Sequence, residues 1–181
     1  MNAQSTGDVS VRWKSLSGVG LALLLLYGLI NFGAAIGVPM TLEANGGQGI
    51  GSPGVIMSRD AEEHMLGTTY ERLHTENPKL DKLLVDSMVG MCSMMMSMAV
   101  AVLGIAWFSA RRGARWAPWV LLVSGVIWVP YYFVIASDFA AFGAQNTMAG
   151  AWMTSIFAIP AVLGAILMII GARRTDVAGS P

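Results

Sequence analysis

The chain has 181 residues, of which 55% are hydrophobic and 12% charged, with a formal net charge of zero and a mean hydropathy of +0.59. Soluble domains carry roughly 25% charged residues, and so short a chain has no interior able to hide this much apolar surface, so the excess faces lipid. Zero net charge weighs against nucleic-acid binding, which wants a basic footprint. The single cysteine, Cys92, excludes an intramolecular disulfide, a multi-thiolate metal site and a dithiol redox motif.

Arg12, Trp13 and Lys14 precede the first apolar run, about residues 15–38. No charge occurs between Lys14 and Glu43, and the run exceeds 20 residues. That is longer than a usual signal-peptide core, so it reads as a retained transmembrane helix. Gly33-Ala-Ala-Ile-Gly37 within it is a G-x-x-x-G, which permits close helix approach inside the bundle or between protomers.

An outer segment follows, residues 41–84. Asn45–Gly54 is Gly-rich and reads as a flexible loop. Ser58 is an N-cap candidate, with Asp60, Glu62 and Glu63 favourable in the first turn of a helix over 59–76. Leu66, Tyr70 and Leu73 share one face of that helix and point to the outer ends of the spans or the membrane surface. Gly67 is expected to weaken the helix without breaking it. Asn77-Pro78 marks a turn, and Pro78 suits the first position of a helix that runs unbroken to Ala110.

The remaining spans are about residues 85–110, 116–136 and 149–171, marked by charge-free gaps between Asp86 and Arg111, Arg115 and Asp138, and Asp138 and Arg173, each of 20 or more residues. Pro130 and Pro160 are candidate kinks. Arg111, Arg112 and Arg115 lie between spans two and three, and Arg173 and Arg174 follow span four. With Arg12 and Lys14 they mark one side as cytoplasmic, which places both termini inside. Trp107, Trp116 and Trp119 suit that boundary, and Tyr131, Tyr132 and Trp152 the opposite one. The polar tail after Arg174 is expected to be disordered. The expected fold is all-α: a four-transmembrane-helix bundle with an extracytoplasmic helical cap between spans one and two, all in one integral membrane domain.

Three constellations bear on chemistry. Met88, Met91, Cys92, Met95 and Met98 share an arc of span two. Thioethers there fill an irregular interface, or the soft sulfur set handles Cu(I). Glu71-Arg-Leu-His74 is a single E-x-x-H, and Asp60 and His64 stand at i, i+4. A carboxylate metal site needs such ligands from several helices, so solvated polar residues are the favoured reading. Asn31, Asp86, Trp128, Tyr131, Tyr132 and Trp152 fall in the outer half of the spans. They form interhelical hydrogen bonds and an aromatic belt, or they line an outward-facing pocket for a lipid, quinone or other apolar molecule. No ionisable residue sits at the bilayer midplane, which argues against proton-coupled transport. No nucleophile–His–acid set, phosphate loop or dinucleotide fingerprint is evident.

The inner turn Arg111-Arg-Gly-Ala-Arg-Trp-Ala-Pro-Trp119 resembles the "R-x-G-x-R-W-A" turn of small bacterial four-helix DoxX-like membrane proteins. The four spans and the cap leading through Asn-Pro into a long second helix resemble that family too. The resemblance implies a bacterial plasma-membrane subunit or accessory protein, in some cases of quinone-linked or redox-stress systems, and transfers no catalytic residue. The expectation is a non-enzymatic accessory subunit or scaffold, embedded in membrane lipid, with a protein partner or a second copy. No obligatory cofactor is expected.

Overall fold

The structure, a computed structural model, describes Val11 and residues 13–44 and 56–178, and all regular elements among them are helical. In chain order these are α1 (Leu16–Ala44), α2 (Arg59–Leu66), α3 (Tyr70–Glu76), α4 (Pro78–Gly104), α5 (Ala117–Val126), α6 (Val129–Ala141), α7 (Thr147–Ser155) and α8 (Ile159–Ala178). A π-helical turn at Ile105–Ala110 prolongs α4, and a short 3-10 turn at Ile156–Ala158 joins α7 to α8. Four stretches are long and apolar enough to cross a membrane: Leu16–Leu42, Pro78–Ala110, Ala117–Ala141 and Thr147–Arg173. Each covers most of one charge-free gap, because in lipid a helix is the open-chain way to satisfy every backbone group.

The two breaks within the long helices have a local cause in proline. The first helix outruns the expected end at residue 38 and passes through Pro39 to Ala44. The α-helix of the third stretch pauses at Ile127 and Trp128, just before Pro130, whose missing N–H removes one rung of the ladder. The fourth is interrupted the same way ahead of Pro160. The tail expected to be disordered after Arg174 is instead helical backbone to Ala178. Arg12 and the Gly-rich stretch at 45–54 lie outside the described residues.

The segment between the first two long helices departs from the single helix expected over 59–76. Ser58 does cap its start, its Oγ accepting from the Ala61 N–H at 3.3 Å. Gly67 then ends α2 in the left-handed conformation, φ 65°, with its own N–H and that of Thr68 donating to the carbonyls of His64 and Glu63. This is the usual glycine termination of a helix. Thr69 opens α3, its Oγ1 accepting from the Arg72 N–H. A Cβ at Gly67 would meet open space, so the cost of Gly67→Ala is purely conformational, about 1 kcal/mol. Hydrogen exchange should show faster opening of α2 and α3 in Gly67→Ala and a smaller change in Gly67→Asn.

The chain forms two compact units. One comprises the described residues up to Leu29, Ala99–Ile127 and those from Ala158 to Ala178. Its core is Leu21, Leu24, Tyr27 and Leu121 with buried alanines, among them Ala106, Ala117, Ala161 and Ala165. Small residues let these helices meet at backbone distance. A Cβ on Gly20 would lie 2.5 Å from the Gly164 carbonyl oxygen, and one on Gly164 would lie 2.8 Å from that of Gly20. Gly171 is similarly tight against Ser17, and Gly28 against Leu103.

The second unit holds Ile30–Met98 and Trp128–Phe157. Within it α6 packs on α7, and α2 touches α6. Tyr70 and Leu73 of α3 form a buried cluster with Ile56, Leu66 and, from α4, Leu80, Leu84 and Met88. The apolar face read from the sequence therefore rests on the first turns of α4.

Candidate functional site

The polar groups of the second unit converge on the α2–α3 segment. Glu62 is 5% exposed. Its Oε1 accepts from the backbone N–H groups of Ile56 and Met57, the latter at 2.8 Å, and its Oε2 accepts from the Tyr70 hydroxyl at 2.5 Å. A buried carboxylate is tolerable when its lone pairs are met in this way. The network ties the chain entering α2 to the start of α3, so one side chain fixes three segments.

Arg59 clamps the same segment from outside. Its guanidinium pairs with Glu63 at 2.9 Å and with Glu71, and it lies 6.0 Å from the centroid of the Tyr70 ring. Glu63 also accepts from the Tyr70 N–H at 2.9 Å. The hydrogen bond from Arg59 holds the Glu71 carboxyl below the ordinary carboxylate range, and the two glutamates push Arg59 up. A carboxyl lowered by folding contributes stability that is present above its unfolded pKa and lost as pH falls through the folded value. Acidification below the ordinary carboxylate range should therefore loosen α2 from α3. Hydrogen exchange across acid pH should show a Glu71-dependent step that Glu71→Gln removes.

His74 and Asp81 join α3 to α4. His74 Nδ1 lies 2.7 Å from Asp81 Oδ2, and Asp81 is 4% exposed. The E-x-x-H of the sequence is thus divided, Glu71 turning to Arg59 and His74 to Asp81. His64 does not join them; its ring abuts Gly143. Among the described residues no group of three or more His, Cys, Asp or Glu side chains is placed to hold a metal ion.

The residues proposed from sequence for an apolar ligand are arranged unevenly. Trp128 and Tyr132 are half-buried and meet edge to face, centroids 5.5 Å apart. Trp152 meets Phe133 instead, edge to face with centroids 4.9 Å apart, and is 66% exposed, and Tyr131 is 68% exposed. Asp86 is exposed and paired with Lys82 at 2.5 Å. Asn31 is half-buried on α1. The sulfur face is also divided: Cys92 is buried, Met91 is exposed, Met95 and Met98 are intermediate, and Met88 packs on the Tyr70–Leu73 cluster. A Cβ at Gly33 or Gly37 would meet open space, so neither glycine is used for close packing within the protomer. That role falls to Gly20 and Gly164.

Sequence reasoning missed the burial of Glu62 and Asp81. Glu62 and Glu63 look alike as first-turn acids, and the partners that bury Glu62, the Ile56 and Met57 N–H groups and the Tyr70 hydroxyl, lie outside α2. His74 and Asp81 stand seven residues apart, but the break at Asn77 puts them on different helices, so the helical spacing does not foretell the contact.

Comparison with protein-family models, with curated proteins and with solved structures finds no match to this chain.

Proposed function

We propose that this chain is a non-enzymatic four-span protein of a bacterial plasma membrane that serves as an accessory subunit or scaffold. Its termini are cytoplasmic, and the α2–α3 segment is its extracytoplasmic contact surface, the architecture that its DoxX-like features imply. The supporting observation is the bracing of that segment. Glu62, Arg59 and Asp81 are engaged in internal pairs rather than gathered around a reaction centre. They hold a firm platform on α4 that presents Asp60, Met65, Arg72 and Glu76 outward. Pre-ordered surfaces of this kind lower the entropic cost of binding a partner.

The test is association in the membrane of origin. Deleting 59–76 should abolish co-purification of the partner. The double variant Asp60→Lys, Met65→Glu alters only exposed positions and should weaken it with helicity intact. Retained association in both variants overturns the assignment.

The edge-to-face Trp128–Tyr132 pair favours a second reading, an apolar small molecule held beside α6. In that case a discrete ligand should co-purify with the protein and be lost in Trp128→Ala.

A further inference from the structure

We infer that the end of the first unit formed by the α4–α5 turn binds the headgroup of an anionic phospholipid. Several contacts bring the cations together. Arg111, Arg112 and Arg115 occupy the turn itself, and the Val11 N–H donates to the Arg111 carbonyl at 2.9 Å, which draws the segment before α1 onto it. Gly171 sits against Ser17, so the last turns of α8 flank the first turn of α1 and add Lys14 and Arg173 to the same end. α5 packs on both α8 and the π-helical turn, which fixes the turn between them.

The described charged side chains at this end are all basic. Among the residues of this unit whose side chains are described there is no Asp or Glu. Lys14, Arg112, Arg115 and Arg173 are all exposed. Arg111 is pre-positioned: its guanidinium carbon stands 4.4 Å from the Trp107 ring centroid. Stacking engages the face of the guanidinium and leaves its in-plane N–H donors suited to a phosphate. Trp13, Trp107, Trp116 and Trp119 are exposed at the same end. Such rings settle at the depth where headgroups meet acyl chains. Fixed cations at headgroup depth select the anionic lipid of a mixed membrane. A phosphodiester that also carries acyl chains satisfies both the arginines and the aromatic collar, which a soluble anion does not.

The inference rests on the four long helices crossing a membrane but on no protein partner. The full chain is reconstituted in phosphatidylcholine vesicles containing a minor share of phosphatidylglycerol, with bromine on the acyl chains of one lipid or the other. Flotation reports insertion separately. Brominated phosphatidylglycerol should quench tryptophan emission as though locally enriched roughly tenfold over its bulk share. Enrichment should fall close to the bulk value in Arg111→Gln/Arg112→Gln/Arg115→Gln and at raised ionic strength, and persist in Lys79→Gln/Lys82→Gln. If the triple variant does not float with vesicles, the ionic-strength series on the wild type decides. Enrichment absent from the wild type, or unchanged by salt or by the triple variant, overturns the inference.

Discussion

Gly164→Ala is expected to destabilise the first unit by about 1–3 kcal/mol, the range for forcing a methyl group into a filled interface. The added carbon would lie 2.8 Å from the Gly20 carbonyl oxygen, 2.9 Å from Leu24 Cγ and 3.1 Å from the Leu24 backbone nitrogen. Two of those three neighbours are backbone atoms, so no rotamer change relieves the clash, and α1 and α8 must move apart. Gly20→Ala meets the reciprocal obstacle. Gly33→Ala, in open space on the same helix, should be neutral or slightly stabilising because alanine is the better helix former. Unfolding in detergent of the three variants beside the wild type gives the comparison. Equal stability of Gly164→Ala and Gly33→Ala would contradict the close approach of α1 and α8.

Glu62→Ala is expected to release the α2–α3 segment. It removes the acceptor from the N–H groups of Ile56 and Met57 and from the Tyr70 hydroxyl. Losing hydrogen bonds to a buried charged acceptor costs about 1–3 kcal/mol, so a local loss of about 1–3 kcal/mol follows. Hydrogen exchange should rise over residues 56–76, while the Gly20–Gly164 contact region keeps its protection. Glu62→Gln retains an acceptor oxygen and should lose less. Glu63→Ala, which removes only the half-exposed contacts to Arg59 and the Tyr70 N–H, should have a smaller effect than Glu62→Ala.

The spans were legible because lipid imposes one rule along the whole chain: the charge-free intervals Lys14–Glu43, Asp86–Arg111, Arg115–Asp138 and Asp138–Arg173 each hold most of one long helix. Ser58 and the Asn77-Pro78 turn were legible for a similar reason, since capping and proline chemistry act within four residues. Gly67 was not. Whether a glycine is absorbed or terminates a helix depends on the competing bracing beyond it, here the Thr69 cap and the Glu62–Tyr70 hydrogen bond. The glycine contacts were hidden too. Gly33 and Gly37 carry the familiar spacing yet meet nothing, whereas Gly20 and Gly164 are 144 positions apart and no local pattern links them. The aromatic contacts were half legible: Trp128 and Tyr132 stand at i, i+4 and meet, but Trp152 pairs with Phe133, which no polar or belt argument singles out.

Native mass spectrometry of the protein, extracted in mild detergent from its own cells, tests the accessory-subunit assignment most directly. The account predicts a mass that includes a second polypeptide at fixed stoichiometry, lost when 59–76 is deleted. A bare protomer or a homo-oligomer carrying a discrete small extra mass would contradict it, and the size of that mass would identify a bound apolar ligand or a metal ion in its place.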